Sequence, residues 1–115
     1  NMLTVAWTGT VCSDPPMCFI SVRPERHSHA IISRTGEFVI NLTTRRLARA
    51  ADWCGVRSGR DFDKFREMGL TAVPSEKVAA PLIAESPVNI EWSCRSGRTT
   101  CSWPRWSAFR PTRPT

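Results

Sequence analysis

A chain of 115 residues, 41% hydrophobic and 23% charged, is the length of one small domain and can bury a core with little margin. No run of about twenty apolar residues is present, which excludes a spanning helix, and no charged-then-apolar leader opens the chain, so a cytoplasmic location is expected. The net charge of +6 invites a nucleic-acid partner, but the last twenty-four residues hold five arginines and no acid, so residues 1–91 carry eleven basic against ten acidic groups and are near neutral.

In chain order, "MLTVAW" is rich in β-formers and predicts a strand over 2–7. "SDPP" at Ser13–Pro16 cannot serve a central ladder and reads as a turn or crossover. "MCFISVR" predicts a second strand over 17–23, with Cys18, Ile20 and Val22 on one side and Phe19, Ser21 and Arg23 on the other. A helix follows between Glu25 and Thr35, entered at Pro24 and stopped by a left-handed Gly36. "EFVINL" at 37–42 is the third strand. Thr43 or Thr44 then caps a helix through "RRLARAADWC". Its Leu47, Ala50, Ala51 and Cys54 make one face, while Arg45, Arg46, Arg49 and Asp52 stay wet. After the loop "GVRSGRD", Asp61 is expected to cap "FDKFREMG", which Gly69 ends. "AVPSEKVAAPLIAESP" is proline-interrupted and mostly irregular, and "VNIEW" begins a last strand. Short strands with intervening helices argue for an α+β domain. The five cysteines, Cys12, Cys18, Cys54, Cys94 and Cys101, form no CxxC pair, so free thiols are expected rather than a zinc site.

Residues 92–115 read differently. Aliphatic side chains stop at Ile90, and Arg, Ser, Thr, Pro and Trp take over together. A change of reading frame around Glu91–Trp92 accounts for this most economically. A disordered arm that grips phosphates and stacks on bases, or a genuine but unusual extension, are the alternatives. The expected division is therefore a folded 1–91 and a tail over 92–115.

Polar groups gather at the predicted strand ends. "TVAWTGTVCSDPP" places Thr4, Thr8, Thr10, Cys12 and Ser13 near one turn. "SVRPERHSH" brings Ser21, Arg23, Arg26, His27 and Ser28 to a strand-to-helix junction, where arginines and a helix N-terminus attract phosphate. "NLTT" adds Asn41, Thr43 and Thr44, and "RSGR" adds Ser58 and Arg60. Singly each is a cap or a turn; together they point to a phosphate-bearing ligand. His27 and His29 point apart on a helix, so no metal pair is expected. No P-loop, GxGxxG or nucleophile-elbow signature is present.

These segments, with "GEFVINLTT", "CGVRSGRDFDKFREMGLT" and "APLIAESPVNIE" in order, resemble the flavin reductase-like, FMN-binding split-barrel family over about residues 1–91. The resemblance implies a mainly β barrel with inserted helices, incomplete at both ends here, and a homodimer with FMN at its groove. It implies ring contacts from Thr4, Ala6, Trp7, Thr8, Thr10 and Cys12, and phosphate contacts from Arg23, Arg26, His27 and Ser28. Strand-end contacts from Asn41, Leu42 and Thr43 follow, with Ser58 as a further one. It also implies NADH or NADPH as hydride donor, with the flavin doing the chemistry, so that no catalytic side chain is required. A non-catalytic FMN-binding barrel is the alternative function. Two departures stand out: Trp7 occupies a place where many flavin reductases have a small or hydroxyl residue, and a later histidine-containing segment has no counterpart.

Overall fold

A computed structural model describes residues 1–14 and 16–93. Among the described residues, three two-stranded antiparallel sheets and three helices surround one core. The first sheet pairs β1 (Thr8–Ser13) with β2 (Pro16–Ile20), Thr8 facing Ile20, with a register shift between Thr10 and Cys12. The alternation of β2 sorts its side chains as the pattern predicts. Cys18, Ile20 and, beyond the strand, Val22 are buried, while Phe19 faces outward. The strand expected over 2–7 is not one: pairing starts only at Thr8. Leu3 and Val5 nevertheless pack against the core. Apolar alternation therefore sets which side chains are buried, but a ladder needs a partner strand, and among the described residues the pairing with the β2 segment reaches back into 2–7 only through the bond from the Ser21 N–H to the Trp7 carbonyl at 2.9 Å.

Helix α1 (His27–Thr35) leads into β3 (Glu37–Asn41) through Gly36, whose φ of 65° and N–H bond to the Ile32 carbonyl at 2.8 Å end the helix. β3 pairs with β6 (Asn89–Ser93), Phe38 opposite Trp92 and Asn41 opposite Asn89. The Phe38 and Trp92 rings stack with centroids 6.5 Å apart. With Cys18, Ile20 and Val22 they make the core cluster. The division expected between Glu91 and Trp92 thus falls inside β6, with Trp92 on its buried side. The expectations for residues 94–115, including Cys94 and Cys101, lie outside the described residues.

A 3-10 turn (Arg45–Leu47) opens α2 (Ala48–Val56), and a turn carries the chain into α3 (Lys64–Met68). Neither Thr43 nor Thr44 caps through its side chain; the turn's N-cap, Thr44, makes no such bond. The cap of α3 is Asp63, not the expected Asp61. Asp63 Oδ1 accepts from the Arg66 N–H at 3.3 Å, whereas Asp61 sits in the preceding turn with its own N–H bonded to the Ser58 carbonyl. Asp63→Ala is accordingly expected to cost about 0.5–2 kcal/mol, and Asp61→Ala less than about 0.5 kcal/mol. Denaturant midpoints of the two variants check the assignment.

The proline-interrupted segment holds one short pair, β4 (Ala72–Val73) with β5 (Leu82–Ile83). Side-chain acceptors on β3 and β6 fasten it. Buried Glu91 accepts from the N–H groups of Glu76 at 3.1 Å and Lys77 at 2.7 Å. Glu37 accepts from Ala79 at 2.8 Å, and Asn41 Oδ1 from Ile83 at 3.0 Å. These bonds supply what a continuous ladder would otherwise give to irregular backbone. Among the described residues, no helix is long and apolar enough to cross a membrane.

Candidate functional site

The apolar face of α2 does not close onto the sheet. Leu47, Ala50, Ala51 and Cys54 instead line a cavity of about 500 Å³, bounded also by α1, β3, the N-terminal segment and residues 79–83. The two alanines keep that wall short. This volume suits a planar, drug-sized ligand, and the lining has the usual character of such sites, mostly apolar with a few polar groups.

Six of the fourteen residues predicted for the site reach this cavity: Thr4, Thr8, Ser28, Asn41, Leu42 and Thr43. Their polar atoms are held in place from behind. Thr4 donates its hydroxyl to the Ala51 carbonyl, and Thr8 donates to the Phe19 carbonyl at 2.8 Å. Asn41 bonds the Ile83 N–H through Oδ1 and the Val39 carbonyl through Nδ2. The Leu42 N–H and carbonyl are tied to Val88 and Ser86. Ser28 is buried at the start of α1, its oxygen accepting from Asn1 Nδ2 at 2.6 Å.

The other eight lie elsewhere. Ala6, Trp7, Thr10 and Cys12 are exposed on the approach to β1 and along it, Trp7 at 77%. Val11 and Phe19 of the hairpin are exposed as well. Arg23 and Arg26 are exposed and His27 is half-buried at the entry to α1. Arg26 is the N-cap there and makes no side-chain cap bond, so the first-turn N–H groups have no side-chain cap. Ser58 accepts from the Arg60 N–H at 3.2 Å and stays outside the cavity.

Sequence reasoning missed Lys64. It is 4% exposed, and its ammonium donates to the Cys54 carbonyl at 2.7 Å. Burial pulls its pKa down; Cys54 opposes that and Arg26 adds to it. Burial raises the Cys54 thiol, and Lys64 partly offsets the rise. Lys64 lines a second cavity, of about 380 Å³, with Asn1, Arg60, Asp61 and Asp63. A sequence signal for it existed: a lysine at the first position of a helix sits at the positive end of the macrodipole, where a cation is disfavoured.

Residues 1–101 match the family model for the flavin reductase like domain. The chain is 34% identical over 91 residues to an uncharacterized protein of Pyrococcus abyssi, covering 79% of this chain and 52% of that protein. Among solved structures it is similar to the flavoredoxin of Desulfovibrio vulgaris (Miyazaki F), with a TM-score of 0.80 and 38% identity over 84% of this chain and 52% of that one. It is also similar to the flavoredoxin of Methanosarcina acetivorans, with a TM-score of 0.75 and 26% identity over 84% and 50%. The chain therefore spans about half the length of the relatives it matches.

Proposed function

The chain belongs to the flavin reductase-like family of α+β split barrels, and on that premise we propose that it binds FMN and serves NAD(P)H-dependent flavin reduction or electron transfer. The observation that carries this reading is the 500 Å³ cavity, with its apolar walls and fixed polar groups from three separate junctions. Its residues fit the cofactor. Ile31, Ile32 and the alanines of α2 offer flat apolar surface to a ring. Thr4, Thr8, Asn41 and Thr43 offer hydroxyl and amide groups to ring oxygens and nitrogens. The entry to α1, with Arg23, Arg26, His27 and Ser28, offers positive charge and N–H groups to a phosphate.

Bound flavin supplies a two-electron acceptor for a hydride from NADH or NADPH. The chain's own part is to bind, orient and keep water from the ring. Ala6, Trp7, Thr10, Cys12 and Ser58 do not line the cavity, and the first four are exposed on the hairpin and its approach, as are Val11 and Phe19. The exposed Trp7, Val11 and Phe19 support a homodimer in which the hairpin of one protomer closes the flavin groove of the other. A cytoplasmic site of action goes with the free thiols Cys18 and Cys54.

Titration with FMN followed by anaerobic addition of NADH or NADPH tests the proposal. Retention of colour through gel filtration and loss of visible absorbance on adding the nucleotide are expected. Colour retained without bleaching would leave the non-catalytic binder. A folded protein that releases all FMN on filtration ends the flavin reading.

A further inference from the structure

Residues 74–81, between β4 and β5, are held by carboxylates and not by a ladder. The β3–β6 register sets Val39 opposite Glu91 and Asn41 opposite Asn89. Side chains alternate along a strand and match across a pair, so Glu37, Val39, Asn41 and Glu91 share the face of this sheet turned away from Phe38 and Trp92. The 74–81 segment lies over that face. Both Glu91 oxygens go to it, one to the Glu76 N–H at 3.1 Å and one to the Lys77 N–H at 2.7 Å. Glu37 takes the Ala79 N–H at 2.8 Å. The base is fixed separately, by the short β4–β5 pair, by the Ala84 N–H on the Thr71 carbonyl at 3.0 Å, and by Glu85, which accepts from the Thr71 N–H at 2.9 Å. Pro74 and Pro81 bracket the segment, and neither has an N–H to add to a ladder.

The same segment is a wall of the large cavity through Ala79, Ala80 and Pro81, and Val39 and Asn41 of β3 line that cavity as well. Its grip on the rest of the fold is small, since Val78 is its only buried side chain. Glu91, by contrast, is 4% exposed, and a carboxylate is an acceptor only. Burying its charge is costly, and the two N–H bonds offset that cost only while the segment is down. Lifting the segment breaks those bonds and gives the carboxylate to water in exchange. That exchange keeps the cost of opening below the cost of parting a strand ladder, and elements held in this way open locally, as units. We infer that residues 74–81 form a lid on the cavity that opens and closes as one piece, with Glu91 as its latch, and that ligand enters and leaves while it is open. The lid stands on the bonds above; the identity of the ligand it admits rests on the flavin reading.

Amide hydrogen exchange on the full chain without ligand tests the motion. The Glu76, Lys77 and Ala79 amides are expected to exchange together, at least about 10-fold faster than amides bonded in the β3–β6 ladder. Glu91→Gln leaves one side-chain oxygen where two N–H groups need acceptors. It should speed all three amides about 10-fold, Ala79 included although Glu37 is untouched, and leave the ladder amides unchanged. Glu37→Gln, at a half-buried position, gives the reciprocal reading should the buried substitution not fold: Glu76 and Lys77 should speed up with their own acceptor in place. Amides of 76, 77 and 79 that exchange no faster than the ladder, or that respond only at the substituted contact, overturn the lid. Stopped flow with FMN reads the passage of ligand. In Glu91→Gln the association and dissociation rates are expected to rise by the same factor, about 10-fold, with Kd unchanged within about 2-fold. Unchanged rates, or faster dissociation alone, would make the segment a fixed wall and overturn the inference while the flavin reading stands. A wild-type chain that binds no FMN ends the flavin reading instead, and the exchange result then decides the lid.

Discussion

Replacing Trp92 by alanine is expected to destabilise the protein by about 3–5 kcal/mol, the range for deleting a large aromatic side chain from a core. Trp92 is 5% exposed, stacks on Phe38 across β3 and β6, and joins the cluster that also buries Cys18, Ile20 and Val22. Small domains have only about 5–15 kcal/mol in total, so the variant should lose more than about 10 °C in Tm. Trp53→Ala is the control. Trp53 is half-buried on α2 and meets Phe62 edge-on at 5.4 Å, outside the main cluster, so its loss should be clearly smaller. Thermal and denaturant melts of both variants decide the matter. A Trp92 variant as stable as wild type would mean that the fold's own sequence stops at Glu91.

The contrast at Trp92 shows how far composition can be read. The break in aliphatic content after Ile90 is real in the sequence. Composition, however, does not report pairing. The register that sets Phe38 opposite Trp92 is fixed by two strands nearly fifty positions apart, and no local window contains it. β2 and the apolar face of α2 were legible because their information is local: Cys18, Ile20 and Val22 at period two, and Leu47, Ala50, Ala51 and Cys54 at helical spacing. Gly36 and Gly69 were legible as stops for the same reason, each being left-handed in the structure. Residues 2–7 misled because β-propensity speaks to side-chain burial, which Leu3 and Val5 do achieve, and not to whether a neighbour strand exists.

The site divides along the same line. Thr4, Thr8, Ser28, Asn41, Leu42 and Thr43 come together because strand ends and helix starts meet at one side of the fold, which junction chemistry predicts. Thr10 and Cys12, further along β1 than Thr8, do not line the cavity. The position of Lys64 at a helix start was a signal, but its burial was not legible, because burial of a lysine depends on what packs around it. Here the Cys54 carbonyl, ten residues upstream and on another helix, holds the ammonium.

Alkaline stability should depend measurably on Cys18. Burial pushes its thiol from 9.0 up to about 12, so the unfolded chain ionises it over a pH range where the native state does not. A pKa raised by folding gives stability that is fully present below pH 9.0 and is lost as pH climbs through about 12. The loss is about 1.4 kcal/mol for each pH step in that window, up to about 4 kcal/mol in full. Cys54, also raised, acts in the same direction. Lys64 opposes both: its lowered pKa means that the penalty for burying its charge is relieved as pH rises toward 10.5. The wild-type curve therefore mixes slopes of both signs, and a difference measurement is required. Cys18→Val removes the titrating group and keeps an apolar side chain of similar size in β2, leaving Cys54 and Lys64 in both proteins. From about pH 9 to about pH 11, the stability of Cys18→Val relative to wild type should rise by roughly 2–3 kcal/mol, read from denaturant midpoints. Parallel curves for the two proteins would show that the thiol ionises as readily in the folded state as in the unfolded one, and that water reaches the core at β2.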